Sequence, residues 1–135
     1  MDPSIERDNS CFCCGIDNDR GFHLQFSYPA QGEAESRFLV PEWCAGWKGV
    51  THGGFLTMLM DELMAHACNA FAASAVTADM AVKFIKPVPT GSTVTIKGQA
   101  ESPRGRVIAT KASILAEDGT ALAEASARFI VMAKK

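Results

Sequence analysis

The fold is decided by residues 53–71, which read GGFLTMLMDELMAHACNAF. The stretch contains no proline, and apolar side chains occupy nearly every face of its helical projection. Such a pattern predicts a helix that is buried all round, because a surface helix would keep a polar face. No other part of the sequence has the length and pattern of a long helix. Some other part of the chain must therefore wrap around it.

The segments on both sides of this helix alternate apolar and polar residues, which is typical of strands with one buried face. The predicted strands cover residues 22–28 and 33–40 before the helix, and residues 76–86, 93–101, 106–116 and 121–132 after it. Proline and glycine separate them, and the Asp118-Gly119 pair is a strong hairpin signal. The chain is therefore expected to form about six strands and one helix.

This order predicts an α+β fold in which one curved antiparallel sheet wraps around one long central helix. That architecture is the hotdog fold. The sequence predicts it as a single domain over residues 1–135, in which residues 1–20 form a cysteine-containing N-terminal extension. Because such a sheet covers only part of the helix and leaves an edge strand exposed, we expect a homodimer or a dimer of dimers.

Composition excludes several classes of function. Thirteen Lys and Arg against fifteen Asp and Glu give a net charge of -2, without the basic excess that nucleic-acid binding requires. No apolar run is long enough to cross a bilayer, and residues 1–9 lack the pattern of a signal peptide. We therefore expect a cytoplasmic protein that binds neither nucleic acid nor a membrane.

Three of the five cysteines lie close together ahead of His23, at Cys11, Cys13 and Cys14. An odd number of cysteines argues against a disulfide framework, so reduced thiols are expected. Structural zinc usually takes its ligands from two spaced pairs, and no second pair follows the first. The sequence favours a locally packed turn over a zinc site, and no metal is predicted.

The start of the helix, His52-Gly53-Gly54, is a candidate site for a substrate carbonyl. A helix N-terminus has backbone N–H groups without intrahelical partners and carries partial positive charge. Without a Cβ at Gly53 and Gly54, a carbonyl oxygen can approach these groups closely. The alternative is that the glycines only start the helix sharply, although Ser, Asp or Asn would cap it better. For His52 we favour a capping role over that of general base.

Asp61 is the candidate base that would orient or deprotonate water. It shares a helical face with small and apolar residues, where a carboxylate is costly unless it is used or paired. We favour catalysis over the alternative of a structural carboxylate inside a dimer. Its neighbour Glu62 shares a polar face with His66 and Asn69, which predicts contact with solvent or a partner chain and a structural role.

Several short motifs in order resemble the 4-hydroxybenzoyl-CoA thioesterase superfamily, in particular the branch that includes the phenylacetate-pathway thioesterases. The motif His-Gly-Gly is followed nine residues after the His by an acid, which gives His52 and Asp61. The other motifs are Cys-x-x-Cys-Gly-x-x-Asn at 11–18, GWKGV at 46–50, VTADM at 76–80 and FIKP at 84–87.

The resemblance implies an acyl-CoA thioesterase that needs no cofactor and hydrolyses a thioester to the free acid and CoA. It places carbonyl polarisation on the N–H of Gly53 and activation of water on Asp61, contributed across a dimer interface. Thr77 would help to hold that water. An amide side chain that the family often has before the motif is absent, because Ala45 and Gly46 stand there.

The nucleotide end of CoA would require cations near the mouth of the site. The candidates, each of which also fits an ordinary surface charge, are Lys48, Lys83, Lys86, Arg104 and Arg106. The acyl pocket or the dimer seam would be formed by Trp43, Trp47, Phe55 and Met58. Because fold does not fix function, a hotdog protein that binds acyl-CoA or another acyl ligand without catalysis is the alternative. A third alternative is a hotdog dehydratase that acts on acyl thioesters, but the catalytic His and acidic residue of such enzymes have no clear match in this sequence.

Overall fold

The long predicted helix is present in the computed structural model, which describes residues 8–135. Helix α1 spans Gly53–Ala67 and continues as a 3-10 turn over Cys68–Ala70. The start of the cysteine-containing extension, residues 1–7, lies outside the described residues. No helix in the described part of the chain combines the length and hydropathy needed to cross a bilayer.

One antiparallel sheet of five strands packs against α1. The strands are β1 Glu33–Leu39, β2 Ala72–Phe84, β3 Thr93–Ala100, β4 Val107–Leu115 and β5 Ala121–Lys134. Their order across the sheet is β1-β3-β4-β5-β2, and every neighbouring pair is antiparallel. A 3-10 helix over Glu42–Cys44 lies in the loop between β1 and α1. The predicted hotdog architecture of one sheet and one long helix is thus confirmed.

The prediction of a strand over residues 22–28 is wrong, so the sheet has five strands instead of about six. Only Ser27 of this segment forms a bridge, with Glu35 of β1. The reason lies in where the backbone hydrogen bonds go. The N–H of Phe22 donates to the Phe12 carbonyl and that of Leu24 to the Cys13 carbonyl, both at 2.8 Å. The segment therefore pairs mainly with the N-terminal turn, and it meets the sheet only at Ser27.

The core lies between α1 and the inner face of the sheet. Its largest side chains with essentially no exposure are Leu59, Met60, Leu63 and Met64 of α1 and Ile96, Ile108, Ile114 and Phe129 of the sheet. The helix and β3 approach most closely at Gly98, where a Cβ would lie 2.4 Å from the carbonyl oxygen of Leu63. Glycine is required at this position because any side chain would push α1 away from the sheet.

Strand β2 forms one edge of the sheet and contains a bulge beside α1. Thr77 lies opposite Phe129 of β5, but Asp79 lies opposite Arg128, so β2 has one extra residue between them. A bulge reverses the alternation of side chains along a strand. As a result Thr77 points toward α1, whereas Asp79 points outward and pairs with Arg128.

Replacing Gly98 with alanine is expected to lower the free energy of unfolding by about 1–3 kcal/mol, the usual cost of overpacking a core. The control is Gln99→Ala, at an exposed neighbour on the same strand, which should change stability by less than about 0.5 kcal/mol. Urea unfolding followed by circular dichroism measures both. Equal stability of Gly98→Ala and the wild type would show that α1 does not lie this close to β3.

Candidate active site

His52 caps the start of α1. Its backbone is extended, and its Nδ1 accepts a hydrogen bond of 2.8 Å from the N–H of Gly54. The backbone N–H of His52 in turn donates to the Cys44 carbonyl at 2.8 Å, which ties the cap to the preceding loop. The capping role favoured for His52 is therefore the one that the structure has. It also occupies the N–H of Gly54, which was expected to face a substrate together with that of Gly53.

The N–H of Gly53 makes no hydrogen bond to any residue of the described chain. It lies at the positive end of the helix, where a partner with negative charge is favoured. The ring of Phe84 lies alongside, so that a Cβ on Gly53 would be 3.1 Å from the Phe84 Cζ. A Cβ on Gly54 would be 3.0 Å from the His52 Nδ1. The lack of a Cβ therefore serves a different purpose at each glycine: Gly53 makes room for the Phe84 ring, and Gly54 makes room for the His52 cap.

Asp61 lies two turns further along α1 and is half-buried. The hydroxyl of Thr77 donates a hydrogen bond of 2.6 Å to its Oδ1. Burial raises the pKa of Asp61, the Thr77 hydrogen bond opposes this rise, and the nearby charge of Glu62 adds to it, so that the pKa lies above its ordinary value. The second carboxylate oxygen has no protein hydrogen-bond donor among the described residues.

Gly53 and Asp61 of one chain are too far apart to act on one carbonyl group. Eight residues separate them, and a helix rises 1.5 Å per residue, so they lie about 12 Å apart along the axis. Each has a different neighbour on β2, namely Phe84 at Gly53 and Thr77 at Asp61. Helix α1 and the edge strand β2 therefore run side by side, and Gly53 and Asp61 lie at different positions along their length.

Glu62 and His66 do not face solvent, contrary to the prediction from the helical projection. Their side chains are only 16% and 9% exposed, and the His66 Nε2 lies 3.1 Å from the Glu62 Oε1. The segment predicted as the first strand covers them. The Phe26 ring stacks on His66 at 3.7 Å, and the Tyr28 hydroxyl lies 2.9 Å from the His66 Nδ1. Burial tends to raise the pKa of Glu62, but hydrogen bonds from His66 and from cysteine hold it below its ordinary value.

The clustered cysteines form the expected local turn, in which the N–H of Gly15 donates to the Cys11 carbonyl at 2.9 Å. His23 takes no part, because its Nε2 binds the Asn18 carbonyl at 2.6 Å. The turn also meets α1, which the sequence did not indicate. The Cys11 thiol donates to the Glu62 Oε1 at 3.6 Å.

The five candidate cations are all exposed and fall into two groups. Lys83 and Lys86 flank Phe84, and Lys48 lies in the loop that leads into α1, so these three are close to Gly53 in the chain or in space. Arg104 and Arg106 lie in the turn between β3 and β4. The carbonyl of Arg106 accepts from Val131 of β5, at the end of the sheet that holds Thr77.

No groove described in the single chain joins Gly53 to Asp61. A groove of about 810 Å³ crosses the outer face of the sheet, and its lining includes Lys83 but neither of these two residues. A second, of about 720 Å³, is lined by Trp43 together with Phe22 and Phe38. Trp47 is 84% exposed. The aromatic residues expected to form an acyl pocket therefore do not enclose one within a single chain.

Several known proteins resemble this chain. Among curated proteins, the acyl-coenzyme A thioesterase THEM4 of Xenopus laevis is 28% identical over 131 residues, which are 95% of this chain. The chain spans only 59% of the length of that relative.

Solved structures share the fold at low sequence identity. A thioesterase superfamily protein has a TM-score of 0.84 at 19% identity, covering 95% of this chain and 68% of its own. The smu.793 protein of Streptococcus mutans UA159 has a TM-score of 0.79 at 18% identity, covering 89% of this chain and 98% of its own. The PaaI protein of E. coli has a TM-score of 0.77 at 20% identity, covering 84% and 83%.

The family model of the thioesterase superfamily matches residues 48–123. This range begins in the loop before His52 and contains α1, β2, β3 and β4. The match includes the helix start, Asp61 and Thr77, and it covers more than half of the chain. The chain therefore belongs to the thioesterase superfamily.

Proposed function

We propose that this protein hydrolyses acyl-CoA thioesters to the free acid and CoA. The observation that carries the proposal is the pair formed by a free N–H at the positive end of α1 and a half-buried carboxylate at Asp61. The name of the curated relative supports the substrate class. So do two structural neighbours from streptococci that were solved with acetyl CoA and with coenzyme A.

The thioester carbonyl oxygen binds at the N–H of Gly53. Charge develops on this oxygen when water attacks the carbonyl carbon, and the helix N-terminus stabilises that charge more than it stabilises the ground state. His52 contributes indirectly, because its imidazole holds the first turn in place by accepting from Gly54. The Phe84 ring lies against Gly53 and so borders the place where the carbonyl would bind.

Asp61 takes a proton from the attacking water. Thr77 donates to Oδ1 and so leaves Oδ2 to accept from water. A carboxylate whose pKa is raised is a stronger base than an ordinary one, which favours proton transfer in the transition state. The CoA sulfur then leaves as the tetrahedral intermediate collapses, and the proton held by Asp61 is available to it.

The site is built from two copies of the chain. A carbonyl at Gly53 cannot reach Asp61 of the same helix, about 12 Å away. Strand β2 is a 13-residue edge strand with an exposed side, and edge strands of this length readily pair with another chain. A two-fold antiparallel pair of β2 strands centred near Met80 places the Phe84 end of one strand beside the Thr77 end of the other. Gly53 then meets Asp61 of the second copy.

The same pairing explains the two groups of cations. Lys48, Lys83 and Lys86 belong to the Gly53 end of one copy, and Arg104 and Arg106 belong to the Asp61 end of the other. A two-fold dimer brings both groups to the mouth of one site, where the phosphates of CoA would bind. Assembly of two such dimers into a tetramer is compatible with this arrangement.

Replacing Asp61 with asparagine is expected to lower kcat by about 10²- to 10⁴-fold, the usual contribution of a general base. The amide oxygen can still accept from Thr77, so the fold and the oligomer should persist. The control is Glu117→Gln, which removes an exposed carboxylate outside β2 that pairs with Arg37. Steady-state hydrolysis of an acyl-CoA panel measures the rates. Equal rates for Asp61→Asn and the wild type would show that Asp61 is not the base, and no hydrolysis by the wild type would leave only a binding protein.

Replacing Gly53 with valine is expected to lower the rate by several powers of ten. The backbone N–H remains, but the new side chain would press against the Phe84 ring and hinder the carbonyl from reaching that N–H. We expect a loss on the scale of removing one oxyanion donor, about 2.7–4 kcal/mol, plus the steric cost. The control is Gly119→Asn in the hairpin between β4 and β5, where φ is +87, a conformation that asparagine tolerates, and no atom lies within 4 Å of an added Cβ. Near-normal turnover of Gly53→Val would show that the carbonyl binds elsewhere.

Replacing Thr77 with valine is expected to shift the pH profile of kcat/KM upward. The rate should rise with pH as Asp61 loses its proton, with a midpoint above the ordinary range of aspartate. The Thr77 hydrogen bond favours the ionised form and lowers this pKa, so its removal moves the midpoint to higher pH. A midpoint that stays in place or falls would contradict the assignment of Asp61 as the base.

A further inference from the structure

The turn at Cys11–Cys14 and residue Glu62 of α1 form a cluster that the proposed reaction does not use. The Sγ atoms of Cys11 and Cys14 and a carboxylate oxygen of Glu62 all lie within 4.8 Å of one another. These residues are half-buried, and the cysteine turn lies 51 residues before Glu62 in the chain. Two thiols and a carboxylate converge here from separate parts of the fold.

The spacing of the cluster fits a tetrahedral metal ion. With zinc–sulfur bonds of about 2.3 Å and zinc–oxygen bonds of about 2.0–2.2 Å, sulfur and oxygen ligands of one ion lie about 3.5 Å apart. The Cys11 Sγ and the Glu62 Oε1 are 3.6 Å apart. The N–H of Cys14 also donates to the Cys11 Sγ at 3.4 Å, a contact that stabilises negative charge on that sulfur.

A chain of partly buried contacts fixes the orientation of Glu62. The His66 Nε2 lies 3.1 Å from the Glu62 Oε1, and the Tyr28 hydroxyl lies 2.9 Å from the His66 Nδ1. The ring of Phe26 stacks on the imidazole at 3.7 Å. Partners of this kind behind a ligand fix its geometry and commonly change metal affinity by 10- to 100-fold. His66 is a positioning residue here.

We propose that Cys11, Cys14 and Glu62 bind one zinc ion, which fastens the N-terminal turn onto α1 beside Asp61. Thiolate ligands select zinc over hard cations such as magnesium and calcium. The sequence argument against zinc was the absence of a second ligand pair, and in the folded chain Glu62 supplies the third ligand. Each thiol releases its proton to solvent on binding the ion, so binding weakens as pH falls. The zinc site stands independently of the proposed hydrolase function.

The test titrates zinc chloride into the full chain after reduction and removal of metal with a chelator. The expected result is one zinc per chain by elemental analysis, together with a higher Tm, because the ion binds only the folded state. Cobalt(II) in place of zinc should give the intense near-ultraviolet bands of thiolate-to-metal charge transfer.

Single substitutions distinguish cysteines that bind zinc from a cysteine that does not. Cys11→Ser and Cys14→Ser should lose the charge-transfer bands and bind zinc at least a hundred-fold more weakly than the wild type. His66→Gln should weaken binding by about 10- to 100-fold with both thiolates still in place. Cys44→Ala is the matched control, because this buried cysteine of the 3-10 helix belongs to no part of the cluster. It should bind zinc as the wild type does.

Two outcomes would overturn the proposal. One is a reduced wild-type chain that takes up no zinc in the titration. The other is a loss of zinc binding in Cys44→Ala as large as that in Cys11→Ser, which would show adventitious thiol binding. Thermal unfolding of each variant without metal identifies any that fail to fold, and Glu62→Gln, which keeps both thiols, then provides a second test with weaker binding as its expected result.

Discussion

The close packing of α1 against the sheet is the constraint on which the rest of the structure depends. At Gly98 the backbone of β3 almost touches the carbonyl of Leu63, and the apolar residues around Leu63 are fully buried. This contact fixes the distance of α1 from the sheet and its direction across it. It therefore also fixes the positions of Gly53 and Asp61 relative to β2. Because Gly53 and Asp61 lie eight residues apart on one helix, about 12 Å along its axis, those two groups cannot meet within one chain. Under the proposed mechanism, the need for a second copy follows from this separation.

Much of the fold could be predicted because burial produces periodic patterns. The all-round apolar run of α1 and the alternation in β3 report burial directly. The same signal gave a wrong prediction of a sheet strand at residues 22–28, because alternation shows that one face is buried but not what covers it. There Phe26 stacks on His66 of α1 instead of belonging to the sheet. The bulge near Thr77 could not be predicted either, because one extra residue in a strand changes the alternation without leaving a turn signal.

The candidate site, like the fold, could be predicted only in part from the sequence. His52, Gly53 and Asp61 could be singled out because glycines at a helix start and an acid on an apolar face are locally unusual. Glu62 and His66 were placed wrongly, since a helical projection contains only the residues of its own helix. Their cover comes from Tyr28 and the cysteine turn, which are far away in sequence. Contacts of this kind depend on tertiary packing, and no local pattern encodes them.

The central claim is that one site uses Gly53 of one copy and Asp61 of another. The most direct measurement mixes two inactive but folded variants, Gly53→Val and Asp61→Asn, under conditions that exchange subunits. Random exchange makes half of the dimers mixed, each with one intact site of two, so activity should return to about one quarter of the wild-type value. If both groups acted within one chain, neither chain of a mixed dimer would be competent. Mixing that restores no activity would contradict the account.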